Sequence, residues 1–142
     1  MIVPGVRIGE AELAPSDQGA LTRVLGAPNR TDRVGEMDYY RYGPDDNPDE
    51  LVVAFDLAQD QPFEISTTSP LYRTHEGLGV GSSEAALRAG LGQPLCQGGR
   101  ASEEVLAYDS IWFLLLRGIV TKVSIRAHLT PGELGAITCK SL

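Results

Sequence analysis

The sequence predicts an α+β domain: two tandem helix-plus-three-strand repeats forming one antiparallel sheet, with both helices on one face. Three observations carry that expectation. Residues 4–9 (PGVRIG) align with residues 76–81 (EGLGVG). Leu25-Gly26-Ala27-Pro28 aligns with Leu91-Gly92-Gln93-Pro94, and each of these stops is followed by short apolar runs with strand-like alternation. At 142 residues the chain is long enough for one packed domain, here divided into repeat one (4–68), repeat two (74–127) and a C-terminal tail (128–142).

In repeat one, Pro15, Ser16 and Asp17 open a helix whose apolar face is Leu21, Val24 and Leu25. A polar linker leads to a strand at residues 37–42, rich in aromatics. Residues 43–49 (GPDDNPD) form a loop, because each residue type there disfavours regular structure. Strands follow at 51–57 and 63–67.

Repeat two is built on residues 74–94. Leu78 and Val80 alternate with glycines as a short extended run, and their counterparts Val6 and Ile8 are expected to be buried with them. Ser82 and Ser83 suit a helix N-cap, Glu84 suits the first turn, and Leu87 with Leu91 makes one apolar stripe. Gly26 and Gly92 are expected at positive φ where the two helices stop. Strands are predicted at 105–108, 111–116 and 119–127, with Arg117-Gly118 as a two-residue turn that sets Leu116 opposite Ile119 and Trp112 opposite Val123. Trp112, Leu114, Leu116, Val123 and Ile125 then share one face. That bulkier set is assigned to the helices, with Trp112 in the core. Ile111, Phe113, Leu115, Val120, Lys122, Ser124 and Arg126 face away. In the tail, residues 130–133 (TPGE) read as a capping box of about one turn.

Composition narrows the function classes. A formal charge of −7 argues against nucleic acid or an anionic membrane as partner. The longest apolar run, residues 111–116, is strand-sized, so no membrane insertion is expected. The N-terminus MIVP lacks the basic start and apolar stretch of a signal peptide, so the chain as given reads as cytoplasmic, a mature exported protein being the alternative. Cys96 and Cys139 read as free thiols, with a disulfide tying the tail to the second helix stop as the sharper possibility.

The pattern Gly-x-Val/Ile-Gly-Ser, a short Ala/Leu helix ending Leu-Gly-x-Pro, then a Tyr and a Phe-containing hairpin, resembles tandem-repeat β-lactamase-inhibitor-like (BLIP-like) proteins. It is also similar to the single-repeat small lipoproteins of outer-membrane assembly, the SmpA/OmlA type. The match is best over residues 74–126 and looser over 5–68. The resemblance implies a non-enzymatic protein that holds another protein against its sheet, and it supplies no inhibitory loop that maps onto particular residues.

Candidate chemistry is sparse. Gly77, Gly79 and Gly81 before Ser82 lack the Gly-Lys-Ser/Thr of a phosphate loop. Asp45, Asn47 and Asp49 have calcium-loop spacing, but Glu50 stands where the loop needs glycine. Ser82 and Ser83 lack a nucleophile elbow, and the two cysteines with His75 and His128 lack metal-ligand spacing, so no metal or cofactor is expected. The leading expectation is a protein-binding or self-associating module whose interface is Ile111, Phe113, Leu115 and Val120, flanked by Lys122 and Arg126. The alternative is a small-ligand sensor or enzyme with a pocket formed by Tyr72, Arg73, His75 and Glu76 where the repeats join.

Overall fold

A computed structural model describes residues 1–13, 17–43, 50–58, 60–100 and 102–126. The acidic loop at 44–49, residues 15 and 16 before the first helix, and the tail with His128, residues 130–133 and Cys139 lie outside the described residues.

Strands β1 (Ile2–Val3), β2 (Arg7–Ile8) and β3 (Ala11–Glu12) form a three-stranded antiparallel sheet. Helix α1 (Gln18–Leu25) follows, then β4 (Arg30–Val34), β5 (Met37–Tyr42), β6 (Leu51–Asp56) and β7 (Gln61–Thr67). Helix α2 (Glu84–Leu91) precedes β8 (Cys96–Arg100), β9 (Glu103–Tyr108), β10 (Ile111–Leu116) and β11 (Ile119–Arg126). The last eight strands make one antiparallel sheet in the order β4-β5-β6-β7-β11-β10-β9-β8.

This corrects the α+β expectation. The described chain is mostly strand, each half supplies four strands rather than three, and residues 2–12 form a separate small sheet. The strands that sequence reasoning passed over are the two sheet edges. β4 (RTDRV) and β8 (CQGGR) carry charge, amide and glycine where an inner strand carries apolar residues. Edge strands meet water along one side and need no apolar alternation, and charge on them discourages further pairing.

Both helices start and stop as their residue types dictate. The Asp17 carboxylate accepts from the Ala20 amide at 2.7 Å, and the Ser83 hydroxyl accepts from the Ala86 amide at 3.1 Å. Gly26 (φ 79) and Gly92 (φ 80) end the helices, each donating its N–H back to the carbonyl four residues earlier, Thr22 and Arg88. A tyrosine then latches each stop to its sheet. Tyr42 Oη donates to the Gly26 carbonyl at 3.4 Å, and Tyr108 Oη donates to the Gly92 carbonyl at 2.9 Å, both across 16 residues.

The core lies between the large sheet and a cover made of the small sheet and both helices. Ile2, Ile8, Leu13, Leu21 and Leu87 from the cover cluster with Val53, Phe55, Ile65, Phe113, Leu115, Val123 and Ile125 from the sheet. Ile8 and Leu78 are buried as expected and Val80 is partly so, but Val6 is 42% exposed. Val6 sits in the β1–β2 turn, where its amide bonds back to the Val3 carbonyl, and only Ile8 reaches the strand position that faces inward.

The assignment of faces is reversed for β10 and for Val120, whereas Val123 and Ile125 face the core, and Lys122, Ser124 and Arg126 face outward, as expected. The register pairs Trp112 with Ser124, Phe113 with Val123 and Leu114 with Lys122, then shifts so that Leu115 meets Val120. Thr121 is the extra residue of a β-bulge, which changes the side of the sheet taken by every later residue. With that shift, Val120, Val123 and Ile125 stand opposite Leu115, Phe113 and Ile111, and the side built entirely from these six apolar residues is the core side. Ile111, Phe113, Leu115 and Val120, expected to face a partner, are therefore buried under the cover, Phe113 completely. Trp112, Leu114 and Leu116 face outward instead.

The two tyrosine latches differ in length and burial, so their removal should cost different amounts. Tyr108→Phe is expected to destabilise the fold by about 1 kcal/mol, and Tyr42→Phe by less, because its bond is longer and more exposed. Urea unfolding of both variants measures the difference; no loss from Tyr108→Phe would show that its hydroxyl does not hold the helix stop.

Candidate functional site

The outer face of the large sheet carries an open groove of about 300 Å³ over β9, β10 and β11, lined by Val105, Trp112, Phe113, Leu114, Lys122, Ser124 and Arg126. Its position follows from the register. Val105 pairs with Leu114, and Leu114 with Lys122, which sets an apolar floor beside an ammonium group. Trp112 and Arg126 form the other end, with the guanidinium carbon 4.1 Å from the indole centroid.

Arg126 is held from two sides. Its Nη2 donates to Glu64 Oε2 at 2.9 Å and its Nε to the same oxygen at 3.2 Å, across the β7–β11 seam, while the Phe63 ring lies 6.0 Å away. Lys122 has no carboxylate partner among the described residues. Apolar surface continues from the groove to the β10–β11 hairpin tip, where Leu116 and Ile119 pair with each other and are 43% and 44% exposed. The groove lining holds one hydroxyl, Ser124, and no His, Asp or Glu that would act on it as a base.

Of the six residues expected at the interface, Lys122 and Arg126 reach this groove; Ile111, Leu115 and Val120 lie in the core, and Phe113 lies under the groove's floor as a core residue. Val105, Trp112, Leu114 and Glu64 were missed, while Ser124, expected on the outward face, joins Lys122 and Arg126 in the lining. The signal that finds them is the spacing of apolar residues in IVTKVSI at 119–125, where Val120, Val123 and Ile125 fall three and then two apart. A strand without a bulge keeps steps of two.

At the repeat junction, the alternative site, Tyr72 and Arg73 are half-buried while His75 and Glu76 are exposed. His75 and Glu76 lie on a turn closed by the Gly77 amide and the Thr74 carbonyl. Tyr72 packs against Gly9, where an added methyl group would come within 2.8 Å of its ring. Arg73 is spent on structure, donating to the carbonyls of Gly77 and Val80 and to the Ser82 hydroxyl. These bonds fix the approach to α2.

A second polar cluster lies on the core side at the β8–β9 margin. Arg88 of α2 donates to Gln97 at 2.9 Å, and Gln97 donates to Glu104 at 3.1 Å. Glu104 Oε1 is enclosed without a donor. The carboxyl of Glu84 beside it, followed by burial, pushes Glu104 above the ordinary carboxylate range, with Gln97 and Arg88 pulling the other way. Among the described residues no group of three His, Cys, Asp or Glu side chains could hold a metal ion. None of the described helices is long and apolar enough to cross a membrane. Cys96 is disulfide-bonded, which corrects the free-thiol expectation.

No protein-family model matches this sequence, and no curated protein does. Solved structures do share the fold. A DUF4309 family protein from Bacillus subtilis superposes with a TM-score of 0.62 at 15% identity, over 87% of this chain and 88% of that one. An extracellular protein containing a SCP domain, from Bacillus anthracis, superposes with a TM-score of 0.59 at 8% identity, over 89% of this chain and 50% of that one. The chain thus spans about half the length of that structure. A weaker likeness, TM-score 0.34 at 15% identity over 77% of this chain and 82% of that one, is to a proposed beta-lactamase inhibitor protein from Streptococcus mutans. The likeness to the first two structures is one of fold alone, and the expected family membership is not shown.

The Glu84–Glu104 pair has a definite sign. A carboxyl whose pKa is raised by folding contributes stability below the unfolded value, and that contribution is lost as pH rises through the folded value. Glu104→Gln removes the effect, so its melting temperature relative to wild type should climb between about pH 4 and pH 7. Thermal melts at the two pH values measure it, and an unchanged difference would mean that the two carboxyls do not interact.

Proposed function

We propose that this protein is a non-catalytic binding module that seats a partner polypeptide on the outer face of its sheet, over β9–β11. The observation that carries the reading is the groove itself. Val105, Trp112 and Leu114 present apolar surface to solvent in one continuous strip with Leu116 and Ile119, bordered by Lys122 and Arg126. An apolar centre with a charged border is the anatomy of a protein interface. The aromatic floor and anchored arginine are the residue types that dominate binding energy when covered. A two-fold pairing centred on the groove would set Lys122 against its own copy, so a different polypeptide fits better than a second copy of this chain.

We also propose that the protein works in an oxidising compartment, a reading supported by the disulfide at Cys96. Disulfides persist there and are reduced in the cytosol, and Cys96 is disulfide-bonded. The fold it shares with an extracellular protein is consistent with export. Alkylation of the protein taken from its host without reductant should leave Cys96 unlabelled; labelling of that residue before reduction would count against export.

The binding reading is tested by selection from a random-peptide library on wild type and on Leu114→Asp. The variant places a charge in the strip on an outward position, so circular dichroism should be unchanged. Peptides enriched on wild type should bind Leu114→Asp at least about tenfold more weakly, since covering an unpaired charge is costly. Peptides that bind both equally, or no enrichment at all, would overturn the assignment of this face.

A further inference from the structure

We infer that the groove selects a carboxylate: the partner segment places an Asp or Glu side chain against Lys122, next to an aromatic or large aliphatic residue lying on Trp112 and Leu114. The inference rests on the binding reading above and goes beyond it by naming the chemistry of the occupant.

Two cations border the groove, and they are not equivalent. Arg126 already meets Glu64 through two of its nitrogens and lies against the Trp112 ring, so its charge is answered within the chain. Lys122 stands directly opposite Leu114 on the neighbouring strand and has no carboxylate partner among the described residues. In the free protein water solvates that ammonium group at no cost. A partner lying on Val105, Trp112 and Leu114 removes much of that water, because Lys122 lines the same groove. An uncompensated cation next to an apolar floor is then penalised, whereas a carboxylate turns the penalty into a charge-assisted hydrogen bond in a medium of lowered dielectric. An amide or hydroxyl on the partner answers the hydrogen bond but not the charge.

The rest of the molecule sharpens the requirement. The chain carries a formal charge of −7, so at long range it repels an acidic partner. Recognition of the carboxylate therefore depends on contact with Lys122 and not on steering from a distance. It should show in dissociation and in the effect of single-atom changes more than in association rate. The aromatic neighbour follows from the floor: the exposed side of Trp112 and the Leu114–Val105 pair offer a flat apolar surface beside the ammonium, with room of about 300 Å³.

The experiment uses the full chain and the emission of Trp112, the only tryptophan in the sequence, as a direct report on the groove. Peptides from the library selection are sequenced. The best is then synthesised with its acidic residue intact and as the matching amide (Asp→Asn or Glu→Gln). The expected result has three parts. Selected peptides share an acid beside an aromatic or large aliphatic residue. On wild type and on Lys122→Arg the amide form binds about tenfold more weakly. On Lys122→Met the two forms bind alike. Peptides that shift Trp112 emission but carry no acid, or whose amide forms bind equally well to wild type, overturn the carboxylate inference and leave the binding face standing. Peptides that leave Trp112 emission unchanged and bind Leu114→Asp normally overturn the binding face and the inference together. Vesicles of phosphatidylglycerol that shift the emission when no peptide does would assign the groove to a lipid surface and also overturn it.

Discussion

The pairing of β7 with β11 joins two four-strand units into one sheet, and the rest of the molecule is arranged around that seam. Strands left unpaired at the centre would expose two rows of backbone donors and acceptors beneath an apolar layer, which is costly in the interior. Pairing Ile65 with Ile125 and Thr67 with Val123 answers those groups and places two fully buried isoleucines side by side on the core face. The small N-terminal sheet lies over this region, with the Ile2 amide donating to the Arg73 carbonyl at 2.7 Å. The other face of the seam sets Ser66 beside Ser124 and Glu64 beside Arg126. The ion pair that anchors Arg126 next to the groove is thus a product of the same register that closes the core.

Each unit repeats one construction. A helix stops at a glycine with positive φ, a tyrosine 16 residues later latches the stop, and the last hairpin carries a register shift. The shifts fall between Ala54 and Phe55 in one unit and between Leu114 and Leu115 in the other, sixty positions apart, as are the strands that carry them. A bulge at each of these places adds twist to a wide sheet, which an eight-stranded array needs to wrap its cover. It also turns Lys122 outward while leaving Val120 inward, so the chemistry of the groove depends on a local irregularity in pairing.

What could be read in the sequence follows where each signal resides. Helix ends are written in single residue types, and Ser83, Gly26 and Gly92 were legible for that reason. The inner strands β5, β6, β10 and β11 show their apolar content directly. The edges β4 and β8 were not legible, because an edge needs little apolar surface and their residues resemble a linker. Alternation groups Trp112 with Leu114 and Leu116, but it does not say which side the helices cover. That choice depends on β11, where one inserted residue regroups the apolar positions, and a turn at Arg117-Gly118 says nothing of an irregularity three residues further on.

The two units share a backbone plan but finish their outer faces in opposite ways. On β4–β6, Arg41 bonds Asp32 at 2.7 Å and also reaches Glu50, and the Arg41 guanidinium holds the Asp32 carboxyl below its ordinary range. That surface satisfies itself: a partner covering it would desolvate paired charges and gain little apolar burial. On β9–β11 the corresponding positions are Trp112 and Leu114 in place of Val52 and Ala54, with a lysine that has no carboxylate partner among the described residues. Covering this surface gains roughly 25 cal/mol for each Å² of apolar area removed from water, provided that the lysine is answered. Glu64–Arg126 marks the line between the two finishes. Under the binding reading proposed above, the described side chains give the β9–β11 surface more to gain from a partner than the β4–β6 surface.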